Sequence, residues 1–137
     1  MKVRDAMTRG VLTITPSRTL HDAARVMSEH NVGAVVVLDP EQPGPGIITE
    51  RDVIRSVSAG DDPRRELVRA HLTSNAIFAG CDWPLGDAAE TMSDRGFRHL
   101  VVLDGGRLEG ILSMRDIVRV WGSSRPTSPG GGIGIPA

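Results

Sequence analysis

The sequence predicts an α/β (α+β) fold built from two pseudo-symmetric β-α-β-β-α repeats. Three observations carry this expectation. The chain matches itself, in order, when shifted by about 65 residues. Each copy sets apolar residues at helical spacing between short runs suited to strands. The 137 residues fit one compact domain. A domain of that size buries roughly two-thirds of its unfolded surface, enough for a substantial core.

The self-match is specific. Val3 and Arg4 fall on Val68 and Arg69, and Thr8 falls on Thr73. Leu20, Asp22, Ala23 and Ala24 fall on Leu85, Asp87, Ala88 and Ala89, and Met27 with Ser28 meets Met92 with Ser93. Val36, Val37, Leu38 and Asp39 meet Val101, Val102, Leu103 and Asp104. After a turn one residue shorter in the second copy, GIITERDVIR from Gly46 meets GILSMRDIVR from Gly110. The first repeat is therefore placed at residues 1–60 and the second at 61–121. Residues 122–137, rich in Ser, Pro and Gly, are read as a disordered tail.

Each element follows from local pattern. The first strand is expected over 11–14 and, more weakly, over 76–79. The helix after it carries Leu20, Ala23, Ala24 and Met27 at i, i+3, i+4 and i+7, which lie on one face. Leu85, Ala88, Ala89 and Met92 repeat that face. Thr19 and Asp22 have the spacing of a capping pair, and Pro84 suits a first helical turn. Apolar runs without alternation, 34–38 and 100–103, suit strands buried on both faces. A Pro/Gly-rich turn over 40–45, or Gly105 and Gly106, leads to a third strand at 46–48 or 110–112. The second helix is expected to bury Val53, Ile54 and Val57 in one copy and Ile117, Val118 and Trp121 in the other. Short helical lead-ins precede the copies, around 3–7 and 66–72. One unit has too little core to stand alone, so the two are expected to pack about a pseudo-two-fold axis.

Composition narrows the function. The chain is 39% hydrophobic and 24% charged, as soluble globular proteins are. A net charge of −1 argues against nucleic-acid binding, which depends on neutralising phosphates. Phe78, Trp83, Phe97 and Trp121 are the only aromatic residues, too few for a stacking platform. A lone Cys81 excludes an internal disulfide and a Cys-rich zinc site. No segment at the start reads as a signal peptide, and no apolar run approaches the ~20 residues that span a bilayer. A cytoplasmic location and no membrane partner are expected.

The informative segment is Thr49, Glu50, Arg51 and Asp52, which follows a strand and opens a helix; Ser113 and Asp116 are placed identically. Helix capping alone accounts for both residue types, since a hydroxyl at the N-cap with a carboxylate three residues on forms a capping box. The same geometry suits a nucleotide. A helix N-terminus favours phosphate, a hydroxyl adds a donor, and a carboxylate one turn in can accept both hydroxyls of a ribose. Arg51 and Arg115 lie beside it and can pair with phosphate oxygens. Gly46 and Gly110 leave room for close backbone approach.

This layout resembles the CBS-domain pair, also called the Bateman module, over nearly the whole chain up to Trp121. The resemblance rests on GIITERD and GILSMRD, on the helices containing DAA, and on NVGAVVVLD and GFRHLVVLD. It implies a disc-like, pseudo-symmetric module that binds adenosine-containing ligands between the repeats and regulates a partner protein. AMP, ADP, ATP, S-adenosylmethionine and NAD(H) are the implied ligands, with no catalytic cofactor. By resemblance, Asp52 and Asp116 hold ribose hydroxyls, and Thr49 and Ser113 contact phosphate. Backbone around Thr13, Ile14 and Pro16, and around Val32, Gly33 and Ala34, encloses the base. Arg98 and His99 match basic positions near phosphates.

Two departures predict unequal sites. Phe78, Ala79, Gly80 and Cys81 stand where the first copy has Thr13, Ile14, Thr15 and Pro16. Phe97 and Arg98 replace Val32 and Gly33. The site with Thr49 and Asp52 is thus expected to be complete, and the one with Ser113 and Asp116 altered.

No residue pair proposes a reaction, and no enzyme activity is expected. His21, His30, His71 and His99 show no metal-ligand spacing, and Cys81 lies in no catalytic motif. Ile54, Val57 and Trp121 are candidates to continue across a homodimer interface. The rival reading is a ligand-free dimerisation or interaction module whose Asp residues are caps alone.

Overall fold

The computed structural model describes residues 1–73 and 77–124. The first repeat comprises α1 (Val3–Ala6), β1 (Thr13–Ile14), α2 (Leu20–His30), β2 (Ala34–Val37), β3 (Gly46–Thr49) and α3 (Glu50–Ser58). A 3-10 turn at Val68–Ala70 opens the second. It continues as β4 (Phe78–Gly80), α4 (Leu85–Arg95), β5 (His99–Asp104), β6 (Arg107–Ser113) and α5 (Met114–Ser124). Each repeat makes one three-stranded sheet in which the first strand lies parallel to the second and the third antiparallel to it. The first strands begin later than expected, at Thr13 and Phe78, and Ala76 lies outside the described residues. Helix α5 runs to Ser124, past the expected start of the tail at Gly122, and residues 125–137 lie outside the described residues.

Strand β2, most of β3 and the middle of β5 are buried on both faces, as their unbroken apolar runs require, whereas Leu38 at the end of the first run and Phe78 at the start of β4 are exposed. Val35, Val37 and Ile48 pack with Leu20, Ala23 and Met27 of α2. The alternate residues Ala34, Val36 and Ile47 turn the other way and meet Val101 of the second sheet, with Ile111 beside it. Leu100, Val102 and Leu112 close over Leu85, Ala88 and Met92 of α4. Strand periodicity therefore splits each run between a lobe core and a shared central layer.

Each repeat also lends its lead-in to the other. Val3 and Ala6 sit fully buried in the core of the second lobe, whereas Val68 sits in that of the first. Backbone hydrogen bonds record the exchange. The Val3 N–H donates to Trp83 O and Arg4 N–H to Cys81 O, at 2.9 and 3.0 Å. The Val68 N–H donates to Arg18 O and Arg69 N–H to Pro16 O, at 2.8 and 3.0 Å. Thr8 bridges to Ile111, and its counterpart Thr73 bridges to Ile47. Gly110 makes the first bridge feasible. A Cβ there would lie 2.7 Å from the Thr8 carbonyl oxygen and 3.0 Å from Met7 Sδ. Its missing side chain serves contact between repeats, not the ligand approach expected for it.

The caps form largely as expected. Thr19 and Asp22 make a capping box on α2. Pro84 is the N-cap of α4, one place before the first turn, and supplies no side-chain cap. Asn31 and Gly96, at matching positions, end α2 and α4 in the left-handed conformation. The outer helices correct a second expectation. Ile54 (65% exposed), Val57 (51%), Val118 (61%) and Trp121 (45%) face outward. Only Ile117 of that predicted set is fully buried, and Val53 is partly so.

Candidate functional site

The helix starts expected to hold a ligand carry complete capping boxes, and they differ in what remains free. On α3, Asp52 Oδ2 accepts from Thr49 N–H at 2.9 Å and from Thr49 Oγ1–H at 3.0 Å, and the Asp52 N–H donates to Thr49 Oγ1 at 3.3 Å. All of this uses one carboxylate oxygen. Asp52 Oδ1 has no partner among the described residues. On α5, Asp116 Oδ2 accepts from Ser113 N–H at 2.9 Å, and Asp116 N–H donates to Ser113 Oγ at 3.0 Å. Here the second oxygen is taken: Arg119 Nη1 lies 3.3 Å from Asp116 Oδ1. Capping is therefore real at both positions, and only Asp52 keeps an acceptor in reserve.

Two clefts open where the lobes meet, and each draws on both repeats. One, of about 280 Å³, is lined by Thr49, Arg51, Asp52 and Arg55 from α3 and its cap, and by Arg95, Phe97, Arg98 and His99 from the second repeat. The other, of about 380 Å³, joins Ser113, Arg115 and Asp116 to Val32, Gly33 and Ala34 of the first repeat. Both volumes lie near the lower end of the roughly 300–1,000 Å³ typical of small-ligand sites. Glu50, Arg98 and His99 line both and form a shared wall.

This pairing rearranges the expected sites. The altered residues Phe97 and Arg98 adjoin Asp52, while the small residues Val32 and Gly33 adjoin Asp116. Thr13 and Ile14 line a separate outer depression with Asp22. The cleft wall near Asp116 is instead Thr8, Gly10, Val11 and Leu12. Pro16 lines neither cleft; its carbonyl is held by Arg69. Gly46 and Gly110 also lie outside both linings, paired to Val37 and Val102 within their sheets. Pattern reading missed Glu50, Arg55 and Arg95. Arg55 was detectable as the residue one helical turn beyond Arg51, on the same face.

His99 stands at the shared wall, at the start of β5 and paired in register with Ser113. A Cβ added at Gly33 would lie 3.1 Å from Glu50 Oε1 and 3.4 Å from His99 Nε2, so a bare glycine makes room for this junction. Burial lowers the His99 pKa, and Arg115 and Arg98 add to that; Glu50 and Asp116 oppose it. The imidazole is thus held neutral near pH 7, a donor or acceptor rather than a cationic phosphate partner. Because its folded pKa lies below the unfolded value near 6.5, the unfolded chain binds the proton more readily. Stability is expected to be full above that value, to fall as the pH drops through it, and to level off below the folded pKa. Melting temperatures measured from pH 7.5 to 5 should show this decline, and His99→Gln should lessen it.

Two other sequence candidates resolve differently. Cys81 is buried in the second core, and burial, with Asp104 and Glu109 nearby, pushes its thiol pKa up. That opposes the thiolate a nucleophile needs. His71 has a neighbourhood that linear spacing conceals. Its Nε2 lies 2.8 Å from Glu66 Oε1, and Asp61 joins them within 4.8 Å. Pairing inside the cluster accounts for it: Ser56 Oγ–H donates to Asp61 and the His71 ring meets Glu66, which staples the linker to α3.

Fold and clefts together define a tandem-repeat module with ligand-sized openings between its halves. The CBS domain family matches twice, over residues 3–59 and 66–123, and the chain belongs to that family. It is 37% identical over 119 residues to an uncharacterized 17.7 kDa protein of Acidianus ambivalens, covering 86% of this chain and 71% of that one. It spans 62% of an uncharacterized protein of Methanopyrus kandleri, to which it is 37% identical over 122 residues, 88% of this chain. Among solved structures, a CBS-domain containing protein from Agrobacterium tumefaciens is similar at 32% identity and a TM-score of 0.81, over 88% of this chain and 99% of that one. The CBS domain pair of protein MJ0100, solved in complex with 5'-methylthioadenosine and S-adenosyl-L-methionine, is similar at 25% identity and a TM-score of 0.82, over 91% and 98%. No helix among the described residues is long and apolar enough to cross a membrane.

Proposed function

We propose that this chain is a regulatory CBS pair that holds an adenosyl ligand between its lobes and, through its occupancy, modulates a partner protein. The observation that carries the reading is the free Asp52 Oδ1 at the start of α3, in a cleft that also offers Thr49 and Arg51. A carboxylate oxygen with no partner beside a helix N-terminus suits a ribose hydroxyl, with phosphate toward the N–H groups and the arginines. The adenosyl ligands of the MJ0100 pair support the same class. AMP, ADP, ATP, S-adenosylmethionine and NAD(H) are the candidates. The role is binding rather than catalysis: among the described residues Asp52 contacts only its cap partner Thr49, and Asp116 only Ser113 and the Arg119 guanidinium, so neither has an acid/base partner. A cytoplasmic setting suits these ligands.

Calorimetry with that panel tests the reading. At a ligand concentration of 100 Kd, binding to the folded state alone should add about 2.7 kcal/mol of stability, visible as a raised melting temperature. If no member binds, the ligand-free interaction module stands instead.

A homodimer is proposed on the outer helices. Ile54 and Val57 of α3 and their counterparts Val118 and Trp121 of α5 form matching exposed apolar faces. Isologous pairing would cover them. Sedimentation should show a dimer that Ile54→Glu with Val118→Glu converts to monomer; a wild type that sediments only as monomer contradicts this.

A further inference from the structure

We infer that the two clefts take ligands of different charge, and that the cleft at α3 is a polyphosphate site. The inference rests on the adenosyl reading for its nucleoside half only. Arg51, Arg55, Arg95 and Arg98 all line this cleft, against two carboxylates, Glu50 and Asp52. None of the four guanidinium groups has an ion pair or hydrogen bond among the described residues. Concentrating unpaired cations at one opening is unfavourable unless an anion answers them.

The opposite cleft shows what the same positions do when no such anion is needed. Arg115, the counterpart of Arg51, donates to Asn31 O at 2.8 Å. Arg119, the counterpart of Arg55, pairs with Asp116 at 3.3 Å and also donates to Ala6 O at 3.3 Å. His30 stands where Arg95 would be, and its ring meets Val26 O. Gly33 stands where Arg98 would be. Internal contacts thus hold the counterparts of Arg51 and Arg55, and His30 and Gly33 stand for Arg95 and Arg98; Arg98 itself reaches both clefts. The lining there balances Arg98 and Arg115 against Glu50 and Asp116. The α3 cleft therefore suits an adenosine carrying two or three phosphates, and the α5 cleft one with little net charge. Arg55 and Arg95 are the specificity residues, placed to reach the outer phosphates.

The test is titration calorimetry of the full chain with adenosine, ATP and inorganic tripolyphosphate, on wild type and on Arg55→Gln with Arg95→Gln. Both side chains are exposed, and the melting temperature of the double variant checks that it folds. ATP should bind wild type roughly tenfold or more tightly than adenosine. The double variant should lose roughly tenfold or more in affinity for ATP and tripolyphosphate, with adenosine nearly unchanged. Equal affinity for ATP and adenosine, undiminished ATP binding by the variant, or no polyphosphate binding at all would overturn the inference. Arginine-dependent binding of tripolyphosphate, with ATP bound no more tightly than tripolyphosphate and adenosine not at all, would uphold it and defeat the adenosyl reading.

Discussion

Asp52→Ala should weaken binding of an adenosyl ligand by roughly 10- to 100-fold, the equivalent of losing hydrogen bonds to a charged group worth about 1.5–3 kcal/mol. The same change removes the capping partner of Thr49 and should cost about 1 kcal/mol of stability. Affinity and stability must therefore be separated. Asp22 provides the control, because Thr19 and Asp22 form the same capping box on α2 away from the clefts between the lobes. Asp22→Ala should lower the melting temperature comparably and leave affinity unchanged. If the two variants bind alike, Asp52 is a cap and nothing more. Thermal melts and calorimetry on both proteins decide the matter.

The largest effect on stability is expected at Val3, near the chain start, where substitutions are usually harmless. Val3 is fully buried among Leu85, Ala88 and Leu100 of the opposite repeat. Val3→Ala should cost about 2 kcal/mol in lost burial and cavity, a drop of roughly 5–10 °C in melting temperature for a domain of this size. Val3→Asp places an unpaired charge in that core and should approach or exceed the 5–15 kcal/mol that holds a typical domain folded. Hydrogen exchange on Val3→Ala should quicken first in β5 and β6, the strands of the second lobe. Val68→Ala should quicken β2 and β3 instead. Faster exchange in the mutated repeat's own lobe would contradict the exchanged lead-ins.

The repeats, the order of elements within each, the buried faces of α2 and α4 and the capping pairs were legible because each is local: a period, a cap or a run is written within a dozen residues. The relations across repeats were not. Nothing in the linear pattern tells which lobe Val3 enters, because its spacing is satisfied by either core. The same gap hid the composition of the clefts. Reading each site within one repeat joined Val32 and Gly33 to Asp52, whereas packing through the central layer of Val36, Ile47 and Val101 joins them to Asp116. Gly110 was legible as a close approach and misread as to its partner, which is the Thr8 backbone. The exposed faces of α3 and α5 kept the helical period of a buried stripe, and sequence alone does not separate a core face from an interface. Phe97 and Arg98 were expected to alter the site of Asp116, but they line the cleft of Asp52, and only packing across the repeats reveals that.

The proposed ligand sits between the lobes at the start of α3. Amide chemical-shift mapping during titration with ATP tests this placement most directly. The largest shifts should fall at residues 49–52 and 95–99, two segments distant in sequence that face each other across one cleft. Shifts confined to the outer depression near Thr13 and Asp22, or no shifts with any adenosyl ligand, would contradict it.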